Sequence, residues 1–102
     1  MFWNNYEIFM PDKKILYKIR VTGRVQGVGF RQACLREARY RGISGFVKNM
    51  PDHSVFIEAQ GTKEQLDLFI NWCKAGPVYG SVEDIIIEIG VPENHSSFII
   101  RY

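Results

Sequence analysis

Between Asp12 and Glu37 the sequence has no acidic residue, although Lys13, Lys14, Lys18, Arg20, Arg24, Arg31 and Arg36 all fall in that interval. The overall charge of +2 is too small to argue for nucleic acid. The local imbalance says more and favours an anionic ligand near the first third of the chain. Cysteine is scarce: Cys34 and Cys73 exclude a disulfide framework or a cysteine-ligated metal site. Each falls on an apolar stripe of helical spacing, which predicts buried thiols. No apolar run reaches the ~18 residues of a membrane span. The opening MFWNNYEIFM has no basic flank, contains Glu7 and interrupts its apolar residues with Asn4 and Asn5, which makes it a poor signal peptide. A cytoplasmic protein without a membrane partner is the expectation. Linkers, repeats and low-complexity stretches are missing too, so 102 residues read as one domain, residues 14–102. Residues 1–13 form an aromatic-rich extension. Phe2, Trp3, Tyr6, Ile8, Phe9 and Met10 are too many apolar groups for a freely solvated tail. That extension is expected to pack on its own domain or to mediate self-association.

What is present is strongly periodic. Ile15, Tyr17, Ile19 and Val21 alternate with polar residues, the pattern of a strand with one buried face. Phe30, Ala33, Cys34 and Ala38 follow helical spacing up to Arg41-Gly42, a C-terminal stop. Ile43 to Met50 reads as a second strand, Met50 to Ser54 as a turn, and Val55, Ile57 and Ala59 as a third strand. Thr62 to Gln65 forms a capping box. It opens a helix that buries Leu66, Phe69, Ile70 and Cys73 and stops at Gly76-Pro77. Ile85, Ile87 and Ile89 make a fourth strand, and Phe98, Ile100 and Tyr102 a short last one. The order βαββαβ with an extra strand, one apolar stripe per helix and mostly one apolar face per strand predicts an α+β two-layer sandwich. Its antiparallel sheet would be covered on one face by two helices.

The start of the first helix is anomalous. Helix N-termini usually carry Ser, Thr, Asp or Asn as a cap and acids in the first turn. Here the chain reads VTGRVQGVGFRQACLRE, Val21 to Glu37, with no strong cap and with Arg31 at the positive end of the helix dipole. Backbone N–H groups around Gly27 and Gly29 lack partners and can close on a phosphate, as nests and helix N-termini do. Glycine permits the positive φ and the close approach that such a cradle needs. Arg31 then supplies a planar fork and a full positive charge to the same anion. The loop is not a Walker motif, which needs Gly-Lys-Ser/Thr. Nor is it the dinucleotide fingerprint, whose glycine spacing differs.

The string GRVQGVGFR, Gly23 to Arg31, followed by GFVKN, Gly45 to Asn49, resembles the acylphosphatases. The likeness runs from about Lys14 to Tyr102 and includes Gly-Pro after the second helix and the closing FIIRY. It implies a five-stranded ferredoxin-like sandwich and hydrolysis of the mixed anhydride between a carboxylate and phosphate, without metal, cofactor or covalent phosphoenzyme. The family's arginine maps onto Arg31 and its asparagine onto Asn49, with Gln26, Gly27, Val28, Gly29, Phe30 and Arg31 as the phosphate-binding loop. The substrate class is a small-molecule acyl phosphate and one product is inorganic phosphate; nucleic acid is not a partner. Where many members carry Asp-Gly in the hairpin after the asparagine, this chain has Asp52-His53. If that position needs positive φ, histidine tolerates it at about 1–2 kcal/mol. His53 and His95 are expected to be exposed side chains rather than catalysts, and Arg24 and Lys48 to be solvated charges.

An acyl phosphate has a good leaving group. Its hydrolysis needs the phosphoryl group held still, its charge balanced and one water aimed in line. The amides and Arg31 suit the first two tasks, and the Asn49 carboxamide suits the third, since its oxygen accepts from water. Other functions fit less well. An RNA-recognition domain of the same topology needs an aromatic motif on its third strand, where this chain has SVFIEAQG. A module of a larger carbamoyl-phosphate-processing protein, or a non-catalytic anion-binding module of the same fold, are the remaining alternatives.

Overall fold

In the computed structural model, which describes residues 12–102, the chain runs β1 (Ile15–Arg24), α1 (Phe30–Tyr40), β2 (Ser44–Asn49), β3 (Val55–Gly61), α2 (Lys63–Ala75), β4 (Ser81–Gly90) and β5 (Phe98–Ile100). Apart from Asp12 and Lys13, the extension assigned to residues 1–13 lies outside the described residues. The strands form one five-stranded sheet in the order β4-β1-β3-β2-β5, the ferredoxin-like arrangement. Ile57 of β3 stands opposite Ile19 of β1 and Val47 of β2. All three are fully buried and belong to the core between sheet and helices. On the helix side, Phe30, Cys34 and Ala38 of α1 recur every four residues. Leu66, Phe69, Ile70 and Cys73 complete the layer from α2. Both cysteines are buried and free, as their positions on apolar stripes require.

Three expectations need correction. The sheet is mixed, not antiparallel, because β5 runs parallel to β2. The reason is positional: β4 ends opposite Leu16 at the start of β1, the end of the sheet where β2 also begins. A chain crossing from there to the far edge enters alongside β2 in the same direction. The isoleucine face of β4 is also only partly covered. Val82 and Ile85 pack against the core, but Ile87 is 38% and Ile89 76% exposed. Alternation reports that a strand has an apolar face; it does not report that the strand lies at an edge, where the helices no longer reach.

The second face of the sheet carries a polar tether. The Gln60 side chain donates to the Glu93 carbonyl at 2.8 Å and accepts from the Glu93 N–H at 2.7 Å, which holds the β4–β5 crossing against β3. His95 lies in the same crossing, 2.7 Å from the Glu58 carboxylate, and its side chain is only 14% exposed. This overturns the expectation of an exposed histidine. The pairing depends on a contact across 37 positions, which local sequence cannot reveal.

Candidate active site

α1 begins without a side-chain cap and without an acid in its first turn. Gly29 at the cap position has φ +80° and Gly27 has φ +74°, both left-handed values that disfavour any side chain. A Cβ built at either glycine would meet no protein atom within 4 Å. The conformation, not crowding, therefore demands glycine, and the space in front of the loop is open. Together these features leave backbone donors at a helix N-terminus facing an open pocket.

That pocket, about 100 Å³, is lined by Gly27, Gly29, Phe30, Arg31 and Asn49, with Ile100 and Tyr102 from the C-terminal side. Arg31 pairs with no acid among the described residues; its guanidinium lies 5.0 Å from the centroid of the Tyr102 ring, a cation–π arrangement. Tyr102 is 95% exposed, so the arginine is steered without being neutralised. Asn49 ends β2, and its side-chain Oδ1 is buried without a hydrogen-bond partner. Buried acceptors are rarely left unpaired, and one lining an anion-sized pocket has an acceptor site to offer a ligand or a water.

The structure thus brings Arg31, Asn49, Gly27, Gly29 and Phe30 to one pocket. Gln26 and Val28 do not line it. Val28 packs against the core, and the Gln26 side chain donates to the carbonyls of Met50 at 2.9 Å and Ser54 at 2.8 Å. Sequence reasoning missed Tyr102 as a neighbour of Arg31; only the parallel pairing of β5 with β2 carries the chain past that residue.

Elsewhere among the described residues, Glu58, Glu93 and His95 gather two carboxylates and an imidazole within 4.8 Å. The 2.7 Å separation of His95 Nε2 from Glu58 Oε2 is a hydrogen-bond distance. Two ligands on a tetrahedral ion with bonds of about 2.0–2.2 Å would stand farther apart than that. None of the three lines the pocket. Among the described residues, no helix is long and apolar enough to cross a membrane.

Fold and site together define a ferredoxin-like sandwich with a pocket at an uncapped helix start behind a glycine loop, lined by an arginine and an asparagine. The acylphosphatase family model matches residues 17–100, and the chain belongs to that family of enzymes. It is 45% identical over 85 residues to an acylphosphatase of Thermotoga petrophila, covering 83% of this chain and 94% of that one. It is 43% identical over 88 residues to an acylphosphatase of Archaeoglobus fulgidus, covering 86% and 99%. Among solved structures, the acylphosphatase from Bacillus subtilis superposes with a TM-score of 0.84 at 40% identity, covering 86% of this chain and 99% of that one. The same fold also matches a small part of a much larger protein: HypF of T. kodakarensis gives a TM-score of 0.78 at 30% identity, over 86% of this chain but 12% of that one.

Proposed function

We propose that the chain hydrolyses acyl phosphates to a carboxylate and inorganic phosphate by in-line attack of a water. The phosphoryl group sits in the cradle of loop amides running from Gln26 to Arg31, its charge balanced by the Arg31 guanidinium. Asn49 Oδ1 accepts a hydrogen bond from the water and aims it at phosphorus. As the water oxygen bonds to phosphorus, the bond from phosphorus to the carboxyl oxygen breaks and the carboxylate leaves with the electron pair. A carboxamide is too weak a base to keep a proton, so the water's proton ends on a phosphoryl oxygen. The single observation that carries this reading is the buried, unpartnered Oδ1 of Asn49 on the same pocket as Arg31 and the helix N-terminus. The proposal places the catalytic unit within residues 14–102 and leaves residues 1–13 as a packing or self-association surface.

The test is hydrolysis of benzoyl phosphate, with inorganic phosphate as inhibitor. Arg31→Ala is expected to weaken phosphate inhibition and turnover together, by ten- to hundredfold or more each, from loss of a charge-assisted hydrogen bond of about 1.5–3 kcal/mol. Asn49→Ala is expected to cut turnover by roughly 10²–10³ with the phosphate inhibition constant nearly unchanged. Phosphate binding by the wild-type chain without any turnover would favour the non-catalytic binding module instead. Loss of phosphate affinity in Asn49→Ala as severe as in Arg31→Ala would move Asn49 from the water to the cradle. Turnover is also expected to persist in excess EDTA, since neither the amides nor Arg31 needs an ion; a strict requirement for added Mg²⁺ would sink the mechanism.

A further inference from the structure

The cradle and Asn49 sit on strands that do not touch. The loop leaves the end of β1, Asn49 ends β2, and β3 lies between them. Two strand spacings amount to about 9–10 Å, and no ladder hydrogen bond runs directly from β1 to β2. A water held by Asn49 attacks productively only if its distance and angle to the cradled phosphorus are fixed, and misplacement by about 1 Å can cost 10²-fold in rate. β3 bridges the two strands as far as the row Val21–Val55–Asn49, but the cradle loop and the hairpin turn both lie beyond that row, where no ladder ties them.

We propose that Gln26 is the positioning residue that sets the distance between Asn49 and the phosphate cradle. Its Nε2 donates to Met50 O at 2.9 Å and to Ser54 O at 2.8 Å. Those two carbonyls close the mouth of the β2–β3 hairpin: Met50 N donates to Ser54 O at 2.9 Å, and His53 N donates to Met50 O at 3.1 Å. Met50 directly follows Asn49. One carboxamide in the cradle loop therefore clamps the hairpin one residue from the water-holding side chain. The β1–β3 ladder stops at the pair Val21–Val55; beyond it, the other described side-chain link to this hairpin is the ion pair of Arg20 with Asp52 at 2.6 Å, both about half exposed. Such a pair is screened by solvent and held loosely, whereas the Gln26 bonds are partly buried. The motif glutamine thus turns its side chain away from the ligand and acts through Asn49.

This inference rests on the proposed hydrolysis, and a double-mutant cycle on the full chain separates the two. Gln26→Met keeps the side chain's length and cannot donate. It is expected to lower kcat for benzoyl phosphate about tenfold or more, with the inhibition constant for inorganic phosphate within threefold of wild type. In an Asn49→Ala background the same change is expected to alter kcat by less than twofold, because the group it positions is already gone. Equal losses in both backgrounds would overturn the inference, as they would mark a general structural effect. So would a phosphate inhibition constant that rises as far as kcat falls, which would place Gln26 in the cradle itself. A wild-type chain without turnover overturns the reading of the site and the inference with it. Should Gln26→Met melt too low to assay, Gln26→Glu serves. Its carboxylate repels the two carbonyls, but its protonated form donates to one. Its kcat relative to wild type is expected to recover as pH falls below about 5, toward the carboxyl's ordinary pKa. A flat ratio in a folded variant would count against the clamp.

Discussion

At the scale of single residues, His53 carries the one positive φ outside glycine among the described residues, +72°. A left-handed conformation costs a side chain about 1–2 kcal/mol, and glycine returns part of that gain by its freedom in the unfolded chain. His53→Gly is therefore expected to stabilise by up to about 1 kcal/mol, a rise in Tm of several degrees, with kcat unchanged; a fall in Tm would show that the imidazole makes a compensating contact. Beside it, Asp52 accepts from the Ser54 hydroxyl and backbone N–H. These bonds lower its carboxyl from the ordinary 3.8. A folded-state pKa below the unfolded value stabilises at neutral pH, and the contribution is lost as pH falls through the folded value. Urea titrations of Asp52→Asn should accordingly show a flatter dependence on pH below 3.8 than wild type. The thiols behave oppositely: burial pushes Cys34 and Cys73 well above 9.0. Unfolded thiols ionise above that pH while the buried ones do not, so stability falls as pH rises. Native protein should resist iodoacetamide at pH 8 and react only on unfolding.

The two helices solve the same problem in different ways. α2 is capped from within: the Thr62 hydroxyl accepts from Gln65 N–H at 3.2 Å, and the Gln65 side-chain Oε1 accepts from Thr62 N–H at 2.9 Å. Thr62→Ala is expected to cost about 1 kcal/mol, read as a lower Tm with turnover retained. α1 has no side-chain cap, and the proposed function puts a phosphate there. Inorganic phosphate at 100 times its Kd should therefore stabilise the fold by about 2.7 kcal/mol. That shift should survive Thr62→Ala and, at the same phosphate concentration, fall to about 1.4 kcal/mol or less in Arg31→Ala. Scanning calorimetry with and without phosphate checks both. This contrast was legible in the sequence because capping is local: TKEQ declares itself over four residues, and the missing cap before Phe30 is just as visible. Arg31 and Asn49 were legible for the same reason, each sitting in a short contiguous motif. The direction of β5 was not, because it depends on which end of the sheet β4 reaches. The pairing of His95 with Glu58 and the aim of the Gln26 side chain depend on register across tens of residues, about which neighbouring residues say nothing.

For the whole molecule, strand order decides what is exposed. β4 forms one edge of the sheet and shows Ile86, Ile89 and, just beyond the strand, Val91 to solvent. Ile89→Lys should change stability by within about 0.5 kcal/mol, as surface substitutions do. Urea titration of the variant beside wild type measures this; a large loss of stability would mean that Ile89 is covered in solution. The opposite edge carries a consequence for the order in which the protein is made. β2, which ends in Asn49, pairs on its outer side only with β5, and Arg101 N donates to Val47 O at 2.9 Å just past that strand. While the ribosome still holds residues 98–101, β2 is an open edge and the wall formed by Ile100 and Tyr102 has not been built. A nascent chain with its first four strands paired still lacks the pocket wall of Ile100 and Tyr102 until β5 pairs with β2.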